Sequence, residues 1–138
     1  MVDEDLILKK LAFIETCVRD LQTLANVDRL DTDIREQRFI VHTLQLAAQA
    51  SLDVASHIVS DRRLGEPRTN RQLFELLGRA GWMTPELTIA MRNLAGFRNV
   101  VVRGYDEVDL RIVKDVVQNR LIDFMEFADA IRAGLEGP

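Results

Sequence analysis

The sequence is poor in the residues that form disulfides and metal sites. Its 138 residues include one cysteine, Cys17, which excludes an internal disulfide and a cysteine-based zinc site. Only two histidines are present, and His42 and His57 are about 22 Å apart along a predicted helix, so they cannot bind one metal ion together. We therefore expect a buried core position for Cys17 and solvated or structural roles for the histidines.

Long hydrophobic runs and a strong excess of basic residues are also missing. No apolar segment approaches the length of a transmembrane helix, and the acidic residues Asp3, Glu4 and Asp5 are unlike the basic start of a signal peptide. We therefore expect a cytoplasmic protein without a membrane segment. The net charge of -4 means that the overall field does not attract polyanions, so any nucleic-acid binding requires a local cationic patch.

The composition and the spacing of apolar residues predict a helical protein. Hydrophobic residues make up 47% of the chain and charged residues 29%, which is typical of a globular protein, and the length fits a single domain of residues 1–138. Apolar residues recur every three or four positions in five stretches, near residues 5–25, 33–62, 69–81, 84–103 and 106–134. We predict an all-α fold, a bundle of about five helices with short connections.

Capping residues precede four of these stretches. Side-chain oxygens of Asp and Thr can accept hydrogen bonds from the free N–H groups of a first helical turn. The predicted N-caps are Asp33, Thr69, Thr84 and Asp106, with Glu36 and Gln72 at the capping-box positions of the first two. Trp82 and Met83 are predicted to pack against the start of the fourth helix.

One segment, residues 97–106, concentrates chemically active groups. Arg98, Asn99, Arg103 and Tyr105 lie around Gly104, which can end the fourth helix. Two guanidinium groups and an amide near a helix end can bind a phosphate bidentately. The residues alone slightly favour a second interpretation, in which Arg98 pairs with an acid and Arg103 complements the helix dipole.

The chain resembles the HepT-like toxins of the HEPN (higher eukaryotes and prokaryotes nucleotide-binding) superfamily over nearly its whole length. The similar segments are residues 38–47, residues 50–58, Pro67, residues 74–77, the block Gly96-Phe97-Arg98-Asn99, Gly104-Tyr105 and Val108-Asp109. The resemblance implies a HEPN-like helical bundle. It also outweighs the structural interpretation of the two arginines, because the arginine, asparagine and tyrosine occur together in one pattern.

The resemblance further implies a metal-independent endoribonuclease that needs no cofactor and forms a homodimer. The family motif is an arginine, a polar residue, three further residues, a histidine, one residue and a tyrosine. In this sequence the arginine is Arg98, the polar residue Asn99 and the tyrosine Tyr105, while Arg103 occupies the histidine position. The implied partners are RNA and a minimal nucleotidyltransferase antitoxin, which modifies the motif tyrosine with AMP.

Arg103 is the departure from the family pattern that bears on catalysis. Arginine stays protonated in proteins, so it cannot replace histidine as a general base, although it can stabilise charge on a phosphate. We expect Arg98, Asn99 and Arg103 to bind RNA, with cleavage weakened by the change. Two alternatives remain, a catalytically inactive module that binds RNA or the antitoxin, and a purely structural helical adaptor. Whether Arg103 is natural or a deliberate inactivating change stays open.

Overall fold

The computed structural model describes the backbone of residues 3–102 and 109–137 and the side chains of residues 3–96 and 109–137. Helices provide all the regular secondary structure of these residues, which confirms the predicted all-α fold. The α-helices are α1 (Glu4–Thr23), α2 (Ile34–Asp61), α3 (Asn70–Arg79), α4 (Pro85–Val102), α5 (Leu110–Asp115) and α6 (Leu121–Leu135). A π-helical turn, Val116–Arg120, joins α5 to α6 in one rod, so the described residues form five helical rods.

Helix α2 lies at the centre of the described bundle and packs against α1, α3, α4 and α6. Its buried alanines, which include Ala47 and Ala55, allow the neighbouring helices to approach closely. Phe74 of α3 meets Phe127 of α6 edge to face, with ring centroids 5.7 Å apart at 89°. The buried apolar side chains of these helices form one continuous core.

The start of α2 differs in one detail from the predicted capping box. The Asp33 carboxylate accepts hydrogen bonds from the backbone N–H groups of Arg35 and Glu36, at 2.9 and 3.4 Å, so Asp33 is the N-cap. The Glu36 carboxylate does not return to Asp33 but accepts from the backbone N–H of Asn26, at 2.5 Å. Glu36 therefore fastens the connection between α1 and α2 onto the second helix.

The starts of α3 and α4 follow the predicted caps. The Thr69 hydroxyl accepts from the Gln72 N–H at 3.3 Å, and the Thr84 hydroxyl accepts from the Leu87 N–H at 3.1 Å. The Gln72 side-chain oxygen accepts from the backbone N–H of Arg68, at 2.6 Å, one residue earlier than a capping box requires. These contacts fix the direction in which α3 leaves its preceding loop.

The prediction that Asp106 caps the last helix is wrong, because Asp109 has that role; Asp106 itself lies outside the described residues. The Asp109 backbone is extended, at φ -78° and ψ 105°, and its carboxylate accepts from the Arg111 N–H at 2.9 Å. Asp109 therefore stands immediately before the first helical residue. The regular last helix that was predicted is also interrupted by the π turn.

The single cysteine and the two histidines lie where the sequence predicts them. Cys17 is buried in the core, with 3% of its surface exposed, and both His42 and His57 are exposed on α2. Among the described residues, no group of three or more histidine, cysteine or acidic side chains could hold a metal ion. None of the helices described is both long and apolar enough to cross a membrane.

Candidate functional site

Helix α4 carries the first two residues of the motif. Its backbone is helical through Val102, so the β-branched run of residues 100–102 is helical as predicted. Arg98 and Asn99 therefore lie in the last turns of α4, and Arg98 follows Leu94 by one turn. The side chains of these two residues, and all of Arg103 and Tyr105, lie outside the described residues. Their convergence on one phosphate therefore stays a prediction.

A cavity of about 330 Å³ is lined by residues that precede the motif in the chain and by residues that follow it. On α4 the described lining residues reach Gly96, two residues before Arg98, and the next described lining residue is Asp109, where the described side chains resume. Among the described residues, the lining consists of Arg71, Ala90, Asn93, Leu94, Gly96, Asp109, Ile112, Asp115, Val116, Arg120 and Asp123. Its volume is at the lower end of the range for small-ligand sites.

The inner surface of the cavity is apolar. Leu94 of α4 and Val116 of the π turn are both buried, with 5% and 7% of their surfaces exposed. Ile112 of α5 is 52% exposed, which leaves a large apolar side chain beside the opening. A flat apolar group that enters from solvent would therefore find a hydrophobic surface below it and polar groups around it.

Arg71, in the first turn of α3, lies across this cavity from the rod that α5, the π turn and α6 form. Its guanidinium packs over Gly96 of α4 so closely that a Cβ at position 96 would stand 3.0 Å from Nη2. Within the described part of the chain, the Arg71 guanidinium forms no hydrogen bond or ion pair. It is therefore a cation placed by packing against α4, and no described residue occupies its donors.

Two of the three aspartates around the cavity already have partners. Asp109 accepts from the Arg111 side chain, at 3.3 Å to Nε and 3.2 Å to Nη2, and these hydrogen bonds hold the pKa of Asp109 below its usual value. Asp115 accepts from Asn119 Nδ2 at 2.8 Å and lies 3.8 Å from Arg120 Nε. Their charges are partly balanced before any ligand binds.

Asp123, in the first turn of α6, is the third of these aspartates and differs from the other two. It is half-buried, and its carboxylate forms no hydrogen bond with any residue of the described ranges. Burial raises the pKa of Asp123 above its usual value, against the attraction of Arg120. Asp123 is therefore the one carboxylate of the described lining that has no hydrogen-bond partner among the described residues.

The π turn contributes both Val116 and Arg120 to the cavity. Its i→i+5 hydrogen bonds insert an extra residue into the turn, and such turns occur frequently at functional sites. Sequence periodicity alone missed this turn, because the apolar spacing through Val113, Val117 and Leu121 is also compatible with a regular helix. It also missed Arg71 and Asp123, which no spacing rule connects to residues 98–105.

The bundle has the fold of HEPN toxins. A solved structure of a tri-AMPylated Shewanella oneidensis HEPN toxin in complex with MNT antitoxin superimposes on this chain with a TM-score of 0.85. The two chains are 34% identical, and the match covers 94% of this chain and 98% of the toxin chain.

Sequence comparison leads to a more specific assignment. The family model for ribonuclease HepT-like proteins matches residues 14–131. An mRNA nuclease HepT from Shewanella oneidensis is 34% identical over 130 residues, 94% of this chain and 98% of the relative. A tRNA nuclease HepT from Aphanizomenon flos-aquae is 30% identical over 110 residues, 78% of this chain and 75% of the relative. The chain belongs to the HepT-like ribonuclease family.

Proposed function

We propose that this protein is the toxin of a cytoplasmic toxin–antitoxin pair, a metal-independent endoribonuclease of one domain that acts on RNA. The family match carries the proposal, because residues 14–131 include Arg98, Asn99 and Tyr105 at the spacing of the family motif. The relatives are nucleases of mRNA and tRNA, and one related toxin is bound to an MNT antitoxin. The corresponding partner here is a nucleotidyltransferase that AMPylates Tyr105.

Arg98 and Asn99 bind the phosphodiester that is cut, and the 2′-hydroxyl of the preceding ribose attacks its phosphorus. The bond from phosphorus to the 5′-oxygen of the following nucleotide breaks, and that oxygen takes up a proton and leaves as a 5′-hydroxyl, with a 2′,3′-cyclic phosphate on the other product. The attack requires a group that accepts the hydroxyl proton near neutral pH, which histidine supplies. Arg103 has no free lone pair for that proton, so its role is limited to stabilising negative charge on the phosphate. Since general acid–base catalysis contributes about 10²–10⁴-fold, cleavage by this sequence is weakened by a factor in that range.

The protein acts as a homodimer in which two motifs face one groove. A net charge of -4 per chain argues against RNA binding through the overall field. Two copies of Arg98 and Arg103 around a shared groove would provide a local cationic surface without making the chain basic.

A second candidate function is a binding module that engages RNA or the antitoxin without cutting. Arg103 favours it, because arginine preserves phosphate binding while removing the titrating group. The two candidates differ in one outcome, which is whether a histidine at position 103 is sufficient for cleavage.

The test compares Arg103→His with the unchanged protein and with Arg103→Ala on mRNA and tRNA substrates. We expect the histidine variant to cleave RNA at least about 100-fold faster than the other two proteins and to arrest growth when expressed alone. Adding Arg98→Ala to Arg103→His should abolish both effects. A folded Arg103→His protein that leaves mRNA and tRNA intact would overturn the nuclease proposal in favour of the binding module.

A further inference from the structure

We propose that the cavity beside the motif is a nucleobase subsite, which takes one unstacked, amino-bearing base of the RNA strand bound at Arg98. This inference rests on the proposed function and adds a recognition site to it. RNA-binding proteins commonly read single-stranded RNA by splaying out a base, stacking it on a flat side chain and hydrogen-bonding its edge. The cavity provides each of these elements.

The cavity is in the right place for a base next to the cleaved phosphodiester. Leu94 precedes Arg98 by one helical turn, which is about 6 Å along the axis of α4. Asp109 lines the same cavity and follows the motif in the chain. A base held between these residues therefore belongs to the nucleotide bound at Arg98 or to its neighbour.

The charges favour a base over a second phosphate. Among the described residues, two arginines and three aspartates line the cavity, so these residues present more negative than positive charge to a phosphate inside it. A neutral base avoids that repulsion and can use the apolar surface of Leu94 and Val116. The planar guanidinium of Arg71, which has no partner within the described part of the chain, is a suitable surface for stacking.

The edge of the cavity favours bases that carry an exocyclic amino group. Asp109 and Asp115 are engaged by Arg111 and Asn119, whereas Asp123 has no hydrogen-bond partner among the described residues. A carboxylate accepts from the exocyclic amino group of cytosine or adenine, and uracil has no such group. The expected order is therefore tighter binding of adenine and cytosine than of uracil.

The binding experiment uses fluorescence anisotropy with short oligo(A), oligo(C) and oligo(U) ribonucleotides and the unmodified full-length protein at low salt. We expect oligo(A) and oligo(C) to bind about tenfold more tightly than oligo(U), the size of one good base contact. Asp123→Asn should reduce this preference to less than threefold, because its amide can donate to uracil. Asp129→Asn, on the same helix but outside the cavity, is the matched control and should leave the preference unchanged.

Arg71→Gln should weaken the binding of all three oligonucleotides by about tenfold, since stacking does not depend on the identity of the base. Arg79→Gln removes the same charge from the same helix outside the cavity, and its effect should stay within twofold. Gly96→Ala is a milder change at the same place, because its Cβ would move the Arg71 guanidinium by only a few tenths of an ångström while alanine favours the helix, so its effect should be smaller than that of Arg71→Gln. Circular dichroism and thermal unfolding of each variant confirm that it is folded.

The adenine of an AMP group attached to Tyr105 carries the same amino group as an adenine of the RNA and would fit the same cavity. A second assay distinguishes these two sources of the base. We expect Asp123→Asn to be AMPylated by the nucleotidyltransferase at the same rate as the unchanged protein. Slower AMPylation with an intact RNA base preference would assign the cavity to the adenylate and overturn the inference. Equal affinities for oligo(A), oligo(C) and oligo(U) would also overturn it while leaving the proposed function in place. Absence of RNA binding by the unchanged protein would overturn both.

Discussion

The indole of Trp82 lies directly against Gly134 in the last turn of α6, so closely that a Cβ at position 134 would overlap two carbons of the six-membered ring. The Arg62 guanidinium lies over the same indole, 5.6 Å from the ring centroid. Met83 is buried in the core beside it. The contacts shown for Trp82 join it to Arg62 and to the end of α6, so the packing of Trp82 and Met83 against the start of α4 stays a prediction. Trp82 fixes the end of α6 to the α3–α4 connection.

This contact predicts that Gly134→Ala destabilises the protein, although alanine favours a helix by about 1 kcal/mol over glycine. We expect the free energy of unfolding to fall by about 1–3 kcal/mol, because overpacking forces the indole out of its position. In a Trp82→Leu background the same change should be neutral or stabilising. Urea unfolding followed by circular dichroism measures the four proteins of this cycle, and additive effects of the two substitutions would contradict the contact.

The buried thiol of Cys17 predicts a loss of stability at alkaline pH. Burial raises the pKa of Cys17 from 9.0 to about 11, with a smaller contribution from the negative charge of Asp20. Because the folded state favours the neutral thiol, its contribution is complete below pH 9 and is lost as the pH rises toward 11. For a shift of this size the loss is about 2–3 kcal/mol.

The check compares the pH dependence of the free energy of unfolding for the unchanged protein and for Cys17→Ala. The variant should be less stable below pH 9, since it leaves a small cavity, and this difference should shrink between pH 9 and 11 as the unchanged protein loses the contribution of its thiol. Parallel curves over this range would show that the thiol is not desolvated. Slow reaction of native Cys17 with thiol reagents at pH 8, and fast reaction after unfolding, would provide a second measure.

The sequence was sufficient to predict most of the fold, because helix formation depends on local spacing and caps. Thr69 and Thr84 precede their helices and accept from N–H groups three residues later, as short-range rules require. Residues 100–102 are helical although their β-branched side chains disfavour it, since the apolar stripe of α4 continues through them. Asp106 was the wrong cap because Asp109 is an equally good capping residue three positions later.

The cavity could not be predicted in the same way, because its described residues come from three separate helical rods. Arg71 packs closely over Gly96, a relation between helices that periodicity does not contain. The glycine itself belongs to the segment that resembles the family motif, so it was the one local signal near the cavity. Among the described residues Asp109 and Asp115 have hydrogen-bond partners and Asp123 has none, a difference that spacing along the chain does not reveal.

The homodimer proposal predicts that an exposed apolar residue beside the motif lies at the subunit contact. Ile112 of α5 is 52% exposed and Ile34 of α2 is 61% exposed, so either could be changed to glutamate without burying a charge in the core. We expect light scattering to give twice the chain mass of 15.7 kDa at micromolar concentration. Ile112→Glu should shift this toward the monomer mass, and Ile34→Glu should not. A stable monomer of the unchanged protein would contradict the shared groove.

The last prediction concerns Tyr105, the only tyrosine in the chain. Incubation with the cognate nucleotidyltransferase and ATP should add AMP to this residue. Peptide mass spectrometry would locate the added mass. The added phosphate brings negative charge close to Arg98 and Arg103 in the sequence, and charge-assisted hydrogen bonds to it would compete with RNA. We therefore expect the modified protein to bind RNA at least about tenfold more weakly, with Tyr105→Phe as the unmodified control. Labelling of Tyr105→Phe, or RNA binding unchanged by the modification, would show that the antitoxin neutralises the protein in another way.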